Sequence, residues 1–115
     1  MIKRGTELKS EVFSKRFGGQ GDIKIMKLLD DAQLQGKGRL FARNTLPPGA
    51  SLGLHEHKGD IEAYYILSGE GMVDDNGTKV LVTAGDVMYT GNGESHSIEN
   101  IGTVDLEFIA LILYV

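Results

Sequence analysis

The sequence predicts an all-β fold, a sandwich or jelly-roll barrel built from eight or more short strands. Sixteen glycines punctuate the 115 residues, and most segments between them alternate apolar and polar residues at period two rather than 3.6. One pair of segments flanks Asn76-Gly77, a dipeptide that favours a two-residue hairpin because both central positions of that turn need a positive φ. Many short strands avoid exposed edges by closing into such a barrel.

The predicted strands follow one another from the middle of the chain to its end. Residues 39–46 place Leu40, Ala42 and Leu46 on one face, and Pro47-Pro48-Gly49 then ends this strand with a turn. The other predicted strands are residues 51–57, 62–67, 71–74, 79–83, 87–90, 95–100 and 104–114.

The first part of the chain contains one helical candidate. Asp30 is suited to cap a short helical turn over residues 31–34, and Gly36 is suited to end it. The glycine-rich residues 18–21 lack the Gly-Lys-Ser/Thr of a phosphate-binding loop and are therefore interpreted as a flexible turn.

Length and composition exclude several classes of protein. A chain of 115 residues predicts a single domain over residues 1–115. The net charge of −4 and the scattered basic residues argue against a nucleic-acid partner. Without cysteine, a disulfide framework, a thiolate metal site and a cysteine nucleophile are excluded. The charged residues 1–11 do not resemble a signal peptide, and no apolar run reaches the about 20 residues that cross a bilayer. A cytoplasmic protein without a membrane partner is expected.

Three histidines and one glutamate form a candidate metal site. His55 and His57 are two residues apart, so in a strand both point to the same face. Surface imidazoles at this spacing are also common by accident. Glu62 opens the next strand and completes a nitrogen and oxygen set suited to Mn, Fe, Zn, Ni or Cu. His96 alternates with polar neighbours and should face inward.

Two motifs with these residues resemble those of the cupin family. The first runs Gly49, five residues, His55-Glu56-His57, four residues, Glu62, six residues, Gly69. The second runs Gly85, five residues, Gly91-Asn92-Gly93, two residues, His96, three residues, Asn100, with Gly91 where the family commonly has proline. The motifs span residues 49–69 and 85–100.

The resemblance implies a cupin barrel, a double-stranded β-helix, in which one divalent first-row metal ion is held by His55, His57, Glu62 and His96. In an octahedral site this set leaves two positions open for water, O₂ or a bidentate substrate, whereas a structural zinc site is usually closed. Each imidazole then needs an acceptor on its other nitrogen, for which Asn100 or a backbone carbonyl is a candidate.

Strand parity also predicts the cavity around this site. Tyr64 shares the face of Glu62 and is the candidate catalytic residue as a proton donor; the alternative is a core aromatic residue. The cavity is predicted to be mostly apolar, with Asn44 and Tyr64 as its polar members. No Arg or Lys can be assigned to it, which argues against a small dianion such as oxalate or a sugar phosphate.

Three functions stay open from the sequence. The first is a small metalloenzyme, an oxidoreductase with dioxygenase-like chemistry, acting on a small-molecule substrate. The second is a non-catalytic module that binds or senses a small ligand, and the third is a sugar isomerase or epimerase. A homodimer is also expected, because Ile109, Leu111, Leu113 and Val115 form an apolar row on the outer face of the last strand.

Overall fold

The computed structural model describes residues 1–115 and consists of short strands with little helix. Two 3₁₀ turns span Gly5–Glu7 and Arg16–Gly18, and helix α1 spans Asp31–Leu34. The strands are β1 (Ser10–Ser14), β2 (Asp22–Lys27), β3 (Gly38–Leu46), β4 (Ser51–Glu56), β5 (Asp60–Ser68), β6 (Glu70–Asp75), β7 (Thr78–Thr83), β8 (Val87–Thr90), β9 (Ser95–Asn100) and β10 (Leu106–Tyr114).

The strands form two antiparallel sheets, as the predicted all-β class requires. One sheet has six strands in the order β1-β2-β3-β10-β5-β8, and the other has four in the order β4-β9-β6-β7. Because β4 and β5 follow one another in the chain but lie in different sheets, the short link at Lys58 and Gly59 crosses between sheets. This crossing brings residues at the end of β4 opposite residues at the start of β5.

The predicted turns are confirmed by the backbone. Strands β6 and β7 pair with Asp75 opposite Thr78, and Asn76 and Gly77 both have positive φ, 48° and 99°. Asp30 caps α1, accepting from the backbone N–H of Gln33 at 2.8 Å, while the Gln33 side chain accepts from the N–H of Asp30.

Strands β1 and β2 were not predicted. In β2 the buried residues Ile23 and Ile25 alternate with exposed Asp22 and Lys24, so a period-two signal was present. Strand β1 has no fully buried residue, because it is the edge of the six-stranded sheet and carries little of the pattern that identifies strands from sequence.

The inner faces of the sheets form the hydrophobic core, and the predicted facing of two strands is confirmed. Glu62, Tyr64 and Ile66 of β5 are buried. In β10 buried and half-buried residues alternate along the strand, with the inward row ending at Ile112. The inward row of β10 is Leu106, Phe108, Ala110 and Ile112. No helix has the length and apolar character needed to span a bilayer.

Asn100 ties the end of β9 to two loops. Its side-chain amide donates to the carbonyl oxygens of Leu46 and Val104, both at 2.8 Å, and its Oδ1 accepts from the N–H of Gly102 at 2.9 Å. The side chain is 2% exposed. These contacts leave Asn100 no role toward an imidazole, so that prediction is wrong.

We expect Asn100→Ala to lower the free energy of unfolding by about 1–3 kcal/mol, because buried polar groups lose their partners. Urea unfolding followed by circular dichroism measures the change. Glu99→Ala, an exposed neighbour on the same strand, is the control and should change the free energy little. Equal changes in the free energy of unfolding for the two variants would contradict a stabilising role of the Asn100 side chain.

Candidate metal centre

The four predicted ligand residues converge at one point between the sheets. His55 lies on β4 and His57 directly follows the last residue of that strand. Glu62 lies on β5 and His96 on β9. His55 and His96 are paired across β4 and β9, and His57 is fixed by backbone hydrogen bonds to Gly93 and Glu94. Glu62 and His57 are 3% and 1% exposed. The four side chains therefore meet between the two sheets, rather than on the face of one strand as the spacing of His55 and His57 predicted.

Four side-chain atoms, three Nε2 atoms and one Oε1, point at a common centre. The Nε2 atoms of His55 and His96 are 3.0 Å apart, and those of His57 and His96 are 3.2 Å apart. Oε1 of Glu62 lies 3.0 Å from Nε2 of both His57 and His96. The four potential ligand atoms all lie within 4.8 Å of one another, so the cluster could hold one metal ion.

The outer nitrogen of every imidazole has a partner on the chain. Nδ1 of His57 lies 2.7 Å from Oδ1 of Asp60, and Nδ1 of His55 lies 2.8 Å from the Gly53 carbonyl. Nδ1 of His96 lies 2.7 Å from the Thr90 hydroxyl. A backbone carbonyl therefore serves His55, as expected, whereas the partners of the other two rings were not predicted.

This donor set fits a first-row divalent cation. A carbonyl and a carboxylate can only accept, so the Nδ1 atoms of His55 and His57 carry the protons, and each neutral ring then presents an Nε2 lone pair to the centre. Lone pairs facing one another at this distance require a cation between them, either a proton or a metal ion. Imidazole and carboxylate ligands with fixed outer partners are typical of such metal sites.

The charges of the cluster shift its pKa values in the metal-free protein. Hydrogen bonding to Glu62 raises the pKa of His57, against the effect of burial, and Asp60 raises it further. Burial lowers the pKa of His55. Burial alone would raise the pKa of Glu62, but His57 and His96 together lower it. Glu62 is therefore an anion, and His57 takes an extra proton more readily than His55.

Tyr64 lies beside this cluster and faces the cavity. Its ring stacks on His96 at 5.2 Å and packs against Phe108 at 4.4 Å. Burial, with the Glu62 charge, raises the pKa of Tyr64 well above its ordinary value, so the phenol keeps its proton. Tyr64 is 2% exposed, as expected of a core aromatic residue, and it also lines the cavity; its role as a proton donor stays a prediction.

A cavity of about 260 Å³ opens from the cluster, and its lining corrects two predictions. Only seven of the fifteen lining residues are hydrophobic, so the cavity is mixed rather than mostly apolar. Asn44 lines it as predicted. Three basic residues also line it, Arg16, Lys27 and Arg39, so the prediction of no cationic group is wrong. Arg16 lies in the turn after β1 and Lys27 at the end of β2, a strand that was not predicted. Arg39 lies at the start of β3, where the alternation placed it on the face opposite Leu40 and Ala42.

The fold and the site together define a cupin. A family model described as a cupin domain matches residues 42–112, which is more than half of the chain. The chain belongs to the cupin family.

Particular relatives are similar along most of the chain. The oxalate-binding protein of Thermotoga maritima is 51% identical over 113 residues, covering 98% of this chain and 93% of the relative. The uncharacterized protein MJ1618 of Methanocaldococcus jannaschii is 35% identical over 74% of this chain and 68% of its own length.

Solved structures agree with this assignment. The crystal structure of a predicted oxalate decarboxylase, tm1287, from Thermotoga maritima matches with a TM-score of 0.96 and 50% identity, covering all of both chains. The polyketide cyclase RemF from Streptomyces resistomycificus matches with a TM-score of 0.77 and 20% identity, over 100% of this chain and 86% of that one. The second likeness shows the fold alone.

In the metal-free protein, we expect the pKa of His57 to lie above 6.5 and that of His55 below it. Asp60→Asn should lower the pKa of His57, because a charged acceptor is replaced by a neutral one. Imidazole resonances followed by NMR against pH measure both values. Glu56→Gln is the control, since Glu56 is exposed and pairs with Lys58. A pKa of His57 unchanged in Asp60→Asn would contradict this account.

Proposed function

We propose that this protein binds one first-row divalent metal ion on His55, His57, Glu62 and His96, and that the ion captures a small organic dianion of the oxalate class. The observation that carries the proposal is the convergence of four ligand atoms within 4.8 Å of one another at the end of a small cavity. Such a set leaves coordination positions open for an external ligand.

The size and charge of the cavity support a small anion. A volume of about 260 Å³ is below the range of typical drug-sized ligand pockets, which begin at about 300 Å³. A divalent ion with three neutral imidazoles and one carboxylate keeps a net positive charge, which attracts carboxylate oxygens. The relative that is 51% identical is named an oxalate-binding protein, which favours the same ligand class.

A second candidate function is turnover of the bound ligand by an oxygenase-like or related metalloenzyme. Tyr64 favours it by position alone, because its phenol lines the cavity together with Glu62, while its raised pKa makes it a weaker acid than an exposed tyrosine. Consumption of oxalate or uptake of O₂ by the metal-loaded protein, reduced in Tyr64→Phe without loss of metal, would support turnover. No observation favours a sugar isomerase over these two functions.

We expect wild-type protein to hold close to one metal ion per chain and to bind oxalate in the metal-loaded form. His57→Ala and His96→Ala should each lose at least about 10–100-fold in metal affinity, the usual cost of losing even an outer partner of a ligand. Elemental analysis after reconstitution and calorimetry with oxalate measure the two steps. Glu62→Gln should lose metal in the same way. Glu56→Gln, the same change at a glutamate outside the site, is its control and should keep the metal.

Metal affinity should also fall as the pH is lowered, because a protonated imidazole cannot coordinate. Since the pKa of His57 is raised, this loss should begin above pH 6.5.

Wild-type metal content in both His57→Ala and His96→Ala would show that the four-residue site is not the metal site.

We also propose that residues 1–115 form one domain and that the protein is a homodimer. The outer face of the six-stranded sheet supports the dimer, since exposed Tyr65 pairs with Ile109 on one side and exposed Val87 on the other. Exposed Tyr89 and half-buried Leu111 both lie opposite Ala63, the next outward position. A contiguous apolar face of this kind is uncommon on a monomer. A cytoplasmic location stays a prediction.

Sedimentation at micromolar concentration should show a dimer of the 12.5 kDa chain. Tyr65→Glu should shift the protein toward monomers, because a buried charge in the interface would lack a partner. Val80→Glu, an exposed residue on the other sheet, should leave the dimer intact. A wild-type species of 12.5 kDa alone would exclude the dimer.

A further inference from the structure

Residues 15–19, which we call the strap, join β1 to the turn before β2 and lie against β4. The strap touches β4 so closely that a Cβ atom at Gly53 would overlap the Phe17 carbonyl, and one at Gly19 would overlap the Ser51 carbonyl. The backbone N–H of Ser51 donates to the Gln20 carbonyl at 2.9 Å. The strap is therefore fixed against the strand that carries His55.

The strap adopts an unfavourable backbone to reach the metal cluster. Lys15 and Phe17 have positive φ, 50° and 54°, a conformation that bulky side chains rarely adopt. Phe17 stacks on the ring of His55, with centroids 4.0 Å apart and an interplanar angle of 19°. Strained residues of this kind persist where the surrounding structure holds them, and they cluster at functional sites.

Arg16 is the one cationic side chain of the cavity lining without a carboxylate partner. Arg39 pairs with Asp60 at 3.0 Å, and Lys27 lies 3.9 Å from Asp31. The guanidinium of Arg16 instead lies over the rings of Phe13 and Phe17, 4.3 and 5.0 Å from their centroids. Its Nε atom is buried and has no hydrogen-bond partner.

Asn44 is the second unsatisfied polar group of the lining. Its side chain belongs to β3, is 3% exposed, and has an Oδ1 atom without a hydrogen-bond partner. Buried amides are normally paired, so an orphaned one in a cavity indicates a missing ligand or water. Arg16 thus offers an unused donor, and Asn44 an unused acceptor, in the cavity that also exposes His55, His57 and Glu62.

We propose that Arg16 binds the carboxylate of the dianion that is not held by the metal, and that Arg16 selects dicarboxylates over monocarboxylates. This inference rests on the proposed function, because it assigns the far end of the same ligand. A guanidinium suits a carboxylate, since it offers paired donors in a fixed fork. Glu11 also lines the cavity without an ion pair, and its charge disfavours dianions long enough to reach it.

Calorimetry with oxalate, succinate and acetate tests the assignment on metal-loaded protein, with metal content measured for every variant. Wild type should bind oxalate more tightly than succinate or acetate. Arg16→Gln should weaken the binding of oxalate about 10–100-fold, as expected for a lost charged hydrogen bond. It should change the affinity for acetate little. Lys15→Gln removes a charge from the same strap but not from the cavity lining, and should bind oxalate like wild type.

The outcomes separate the two proposals. Failure of metal-loaded wild type to bind oxalate overturns the proposed ligand and, with it, the role of Arg16. Equal oxalate affinity of wild type and Arg16→Gln overturns the role of Arg16 alone. Loss of metal in Arg16→Gln would also overturn it, because Arg16 would then act on the metal site rather than on the ligand. Partial recovery in Arg16→Lys, which keeps the charge but not the fork, supports it.

Discussion

The three imidazoles can present their Nε2 atoms to one centre only because each Nδ1 atom is held from outside. Asp60 holds His57, the Gly53 carbonyl holds His55 and the Thr90 hydroxyl holds His96. An imidazole held by only one nitrogen can rotate, and the ligand atoms would then no longer converge. Asp60 is itself held by Arg39 at 3.0 Å, so the constraint extends from the centre to the surface.

The two sheets supply these partners from several strands. The crossing from β4 to β5 is only a few residues long. His57, which directly follows β4, and Asp60, the first residue of β5, therefore lie within hydrogen-bonding distance although the two strands belong to different sheets. Thr90 ends β8 beside Glu62, its partner on β5, and reaches His96 on the facing sheet. The site therefore depends on the packing of the sheets and not on a single loop.

The sequence predicted the parts of this site that repeat along a strand. Alternation placed Glu62 and Tyr64 inward, and motif spacing brought His96 to the same point, because period two fixes a face without knowledge of the partner strand. The outer partners could not be predicted this way. Asp60 is the first residue of β5 and lies outside the predicted strand 62–67, and Thr90 meets His96 only because the two sheets face one another. Asn100, although part of the second motif, serves two loops instead.

Arg16 illustrates a different limit, since it lies outside the residues 42–112 that match the cupin family model. Its position follows from a strap that crosses onto β4 through two positive-φ residues, a path that no period in the sequence encodes. The four candidate ligand residues all lie within residues 42–112, whereas the strap lies outside them. A segment outside the residues matched by the family model can therefore set the charge of the cavity while the four candidate ligand residues stay the same, and in this protein such a segment brings the unpaired cation Arg16 into the lining.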